Sequence, residues 1–89
     1  MVQEKEKFVL AKLFEETKEL KEKIEKYLNI LDSNPKKKEA ARELLDEAQS
    51  LLNAIIEAIS SKEPNNVGAL VRKLDDLRSA FARLQMARY

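Results

Sequence analysis

The chain has 89 residues, 44% apolar and 37% charged, with no Cys, no His, no Trp, one Gly and two Pro. That size and composition predict one small domain, residues 1–89, with a single core. Without thiol or imidazole groups, a disulfide framework, zinc and iron–sulfur centres, a Cys or Ser–His nucleophile and a histidine general base are all excluded.

The expectation is therefore a non-enzyme with no cofactor and no metal. A net charge of +1, from 17 Lys and Arg against 16 Asp and Glu, is too small for affinity built on phosphate contacts, so nucleic acid is not an expected partner. No apolar run approaches the roughly 18 residues that span a bilayer, and no signal-like stretch opens the sequence, so a soluble intracellular or recombinant setting is expected.

The first helix is predicted over about residues 3–31. Leu10, Leu13, Thr17, Leu20, Ile24, Tyr27 and Leu31 recur at alternating spacings of three and four, the signature of one buried helical face. Asp32-Ser33-Asn34-Pro35 breaks it. Pro35 suits a first helical position because its missing N–H would be unbonded there anyway, and Asn34 can accept from free amides of the next helix.

The second helix is predicted over about 35–61, with Ala41, Leu45, Ala48, Leu52, Ile55 and Ile59 in its stripe, widened by Leu44 and Leu51. Pro64 should stop it, and Asn66 should cap a third helix over about 66–88, where Val67, Leu70, Leu74, Leu77, Phe81 and Leu84 repeat the pattern. The string from Glu63 to Leu70 is similar to a junction between tetratricopeptide repeats. The likeness stops at the turn, because a 34-residue period does not place that repeat's aromatic, Gly and Ala positions. Three helices of comparable length joined by short connections predict an all-α, up-down-up antiparallel three-helix bundle.

The charged constellations read as solvated faces. Glu15, Glu16, Glu19 and Glu22 lie mainly off the apolar stripe, and no His stands three residues on, as a di-iron bundle site would need. Glu19 with Lys23 and Glu22 with Lys26 have the spacing of favourable pairs, as do Asp75 and Asp76 with Arg72 and Arg78. Lys36-Lys37-Lys38 with Arg42 opposes the dipole of the second helix, yet lacks the interleaved aromatics or glycines of a nucleic-acid surface. The last third carries five positive and two negative groups, and Arg72, Asp76, Ser79 and Arg83 share its outward face.

Lys7-Phe8-Val9-Leu10-Ala11-Lys12-Leu13-Phe14 differs from the rest, because its apolar residues surround the helix. At about 100° per residue, Phe8 and Ala11 point away from Leu13 and Leu20, with Phe14 on the flank. Antiparallel register sets this end beside Ile56 and Val71, both off their own stripes. Phe8, Ala11, Phe14, Ile56 and Val71 are therefore candidate partner-binding residues, for another protein or for self-association. Leu10-Ala-Lys-Leu13-Phe14 is also similar to a receptor-coactivator helix motif, but Leu10 and Leu13 are needed in the core.

Near-equal helices, unbroken three-four spacing, surfaces such as Glu19-Leu-Lys-Glu-Lys-Ile-Glu-Lys26 and proline-containing loops together resemble computationally designed three-helix bundles, over the whole chain. Gly68 in the third helix, Phe8, Ile30 and Met86, which read as exposed, and an Arg-rich last helix depart from that pattern. The resemblance implies a non-catalytic scaffold, designed or engineered, with no required partner. The alternative is a helical interaction module that works through the apolar end around Phe8.

Overall fold

The computed structural model describes residues 2–31, 34–61 and 67–87. It contains three α-helices, α1 (Val2–Ile30), α2 (Pro35–Ser60) and α3 (Val67–Met86), and each packs against the other two. This is the predicted all-α three-helix bundle, drawn out into a rod 51 Å long and 17 by 14 Å across.

The start of α2 forms as its sequence dictates. Asn34 has extended backbone angles, φ −128° and ψ 92°, and its Oδ1 accepts from the Lys37 amide at 3.2 Å, with Pro35 opening the helix. At the other end Ser61 is extended and its amide donates to the Ala58 carbonyl at 3.2 Å. The expected stop at Pro64, the cap at Asn66 and the arginine at position 88 lie outside the described residues. Gly68 is not demanded by packing, since a Cβ there would meet nothing within 4 Å.

The core runs along the predicted stripes. Leu10, Leu13, Leu20 and Ile24 of α1 are buried with Ala41, Leu44, Ala48, Leu51, Leu52 and Ile55 of α2. From α3 come Leu74, Leu77, Phe81 and Leu84. Tyr27, Leu31, Leu45, Val67 and Leu70 pack against this core half-buried. Ile59 continues the α2 stripe but is exposed, so the seam opens in the final turn of that helix. With Leu10 and Leu13 both buried, the coactivator-like string has no free apolar face, as expected.

One polar side chain sits in this interior. Thr17 is fully buried, and its Oγ1 has no hydrogen-bond partner among the described residues. A buried unpaired hydroxyl costs about 1–3 kcal/mol in lost hydration. Thr17→Val keeps the shape and removes that cost, so chemical denaturation should show a gain of about 1 kcal/mol. Leu74→Ala should lose about 2–5 kcal/mol in the same assay, because it empties a site with neighbours on every side.

Candidate functional site

Four of the five candidate contact residues are divided between two grooves, and Ala11 lines neither. Phe8 stands 69% exposed at the start of the described side chains. With Val9, Leu13 and Val71 it lines a groove of about 280 Å³ between α1 and α3, bordered by Lys12 and Glu16. Phe14 lies half-buried against the core and faces the other way. With Leu52 and the 47% exposed Ile56 it lines a groove of about 330 Å³ between α1 and α2.

Helix geometry accounts for the division, because six residues separate Phe8 from Phe14 and turn them by about 120°. Ala11 is exposed and falls between them in angle, so it forms the ridge that parts the two grooves.

Polar groups border the α1–α2 groove. Lys21 Nζ donates to Gln49 Oε1 across the two helices, Gln49 Nε2 donates to Asn53 Oδ1 at 3.1 Å, and Lys21 Nζ lies 4.0 Å from Glu25 Oε1. The α1–α3 groove is crossed instead, among the described residues, by one ion pair, Arg78 Nη2 to Glu16 Oε2 at 3.4 Å, both partly exposed. Such a pair contributes about 0–1 kcal/mol. The pairs expected from spacing, Glu19 with Lys23, Glu22 with Lys26, and Asp75 and Asp76 with Arg72 and Arg78, are not among the ion pairs of the described residues. The long Arg78 side chain reaches across the groove to a carboxylate on the neighbouring helix.

A second apolar surface occupies the opposite end of the rod, where Ile30 is 74% and Met86 82% exposed. Tyr27 and Phe81 meet there edge to face, with ring centres 5.5 Å apart and planes at 85°. Together with Ile30 they line a cavity of about 310 Å³ between α1 and α3. Stripe reasoning assigned Tyr27 and Phe81 to the core and so missed their outer edges. The signal was length. At about 1.5 Å per residue, α1 with 29 described residues is about 13 Å longer than α3 with 20.

The remaining charged groups are dispersed. Lys36 and Arg42 are exposed and Lys37 and Lys38 half-buried, while Arg72, Asp76, Ser79 and Arg83 point outward as expected. Arg83 Nε donates to the Ser79 carbonyl of its own helix at 3.4 Å. Among the described residues no three Asp or Glu gather closely enough to hold a metal ion, and no helix is long and apolar enough to cross a membrane.

The two phenylalanines differ in a measurable way. Phe14→Ala removes a ring packed on the core and should cost about 1–3 kcal/mol in denaturant midpoint analysis, whereas Phe8→Ala should change stability by less than about 0.5 kcal/mol. Comparison of the chain with known protein families, curated proteins and solved structures finds no match.

Proposed function

We propose that the chain is a non-catalytic helical-bundle scaffold of designed or engineered type. The observation that carries this reading is the make-up of the interior, where every buried side chain among the described residues is apolar except Thr17. Charge is placed outward along all three helices, as the same economy of pattern requires. An idealised bundle of this kind should unfold reversibly above about 90 °C. A calorimetric midpoint in the ordinary range of about 45–65 °C would count against it.

The exposure of Phe8 favours a second reading, a helical module that binds a protein partner or a second copy through its apolar surface. Phe8 shares a groove with Val71 of α3, and both lie outside the sealed core. Sedimentation of the parent across concentration should then show association that Phe8→Glu abolishes, with stability changed by no more than about 0.5–1 kcal/mol. A monomeric parent that binds no hydrophobic dye would exclude this module and leave the plain scaffold.

A further inference from the structure

We infer that the whole length of the α1–α3 groove is a docking site for an amphipathic partner helix of about 20 residues whose apolar stripe is flanked by carboxylates. This rests on the interaction-module reading and extends it from the Phe8 end to the full groove. The α1–α3 pair is the least extensively packed of the three. Along it lie three cavities of about 280, 370 and 310 Å³. They adjoin one another, since Glu16 borders the first two, where its pair with Arg78 crosses between them, and Lys23, Phe81 and Gln85 border the second and third.

From Phe8 to Ile30 the groove follows α1 for 22 residue steps, about 33 Å, which matches a helix of some six turns. Its floor is apolar at both ends, at Phe8 with Val71 and at Tyr27 with Ile30. Between them Leu20 and the small side chain of Ala82 leave room for a backbone to approach. A helix laid here would cover Phe8, Val71 and Ile30 and complete a four-helix arrangement.

The charge of the rim selects the partner. Lys12, Lys23, Lys26 and Arg78 line the three cavities against Glu16 and Glu19. Arg78 is already paired with Glu16, so lysines outnumber the one remaining carboxylate. They stand toward the two ends of the groove, beside its apolar floor. Carboxylates on either side of the partner's stripe would meet them, whereas a Lys-flanked helix would meet like charge.

The test uses the full chain and two synthetic peptides of about 20 residues, with the same Leu stripe and flanks of Glu in one and Lys in the other. Titration calorimetry should show the Glu-flanked peptide binding at least about tenfold more tightly, with the advantage shrinking as salt rises. Ala82→Trp fills the middle of the groove from an exposed position and should weaken binding by about tenfold or more with its thermal midpoint unchanged. Lys23→Glu with Lys26→Glu should reverse the preference between the peptides.

Equal affinity for both peptides, or binding indifferent to Ala82→Trp, would overturn the proposal. If Phe8→Glu abolishes self-association while Ile30→Glu and Ala82→Trp behave as the parent, contact is confined to one end. The groove proposal then fails and the interaction module stands. A parent that neither associates nor binds either peptide removes both.

Discussion

Leu10, Leu13, Thr17, Leu20 and Ile24 form one seam on α1 that has to be covered by two other helices at once, and the rest of the molecule follows from that demand. A single helix can shield only part of such a stripe, so α2 and α3 must converge on it and on each other. The two helices bury the seam from Leu10 to Ile24, while the α1–α3 groove beside it stays open, its middle included. The most exposed apolar groups lie toward the two ends of the rod. Phe8 marks one end, and Ile30 and Met86 mark the other.

The flanks of the seam are finished differently. Between α1 and α2 the amides of Gln49 and Asn53 and the ammonium of Lys21 form a chain that satisfies polar groups along the groove. Between α1 and α3 a single ion pair among the described residues spans the gap, and small residues such as Ala82 leave it shallow and open. Both sides of α1 thus keep an apolar groove, but the α1–α2 one is bridged by hydrogen bonds, while the α1–α3 side is open along more of its length. That asymmetry makes the α1–α3 side the place to look for a partner.

Much of the fold could be read from residue spacing. The three-four pattern marks the buried face of each helix because that face is fixed by backbone geometry alone, and Asn34-Pro35 marks a helix start because its chemistry is local. The outward aim of Phe8 and Ala11 followed from the same angular arithmetic. What spacing could not supply was the rotation and offset of one helix against another. Those set whether Phe8 and Phe14 share a surface and which carboxylate Arg78 reaches. Nor does a stripe distinguish a threonine from a valine, so the unpaired hydroxyl of Thr17 became visible only with its neighbours in place.

The unequal packing also orders the motions of the chain. α1 and α2 share the most extensive contact and are consecutive in sequence, so they form a hairpin whose contacts close short loops at small entropic cost. α3 is held to that hairpin mainly by Leu74, Leu77, Phe81 and Leu84, with the weaker of its two interfaces toward α1. Its backbone amides should therefore be the first to exchange with solvent in sub-global opening, and those near Ile24 and Ala48 should persist to global unfolding. The helix that forms one wall of the open groove is then also the least firmly anchored element of the fold.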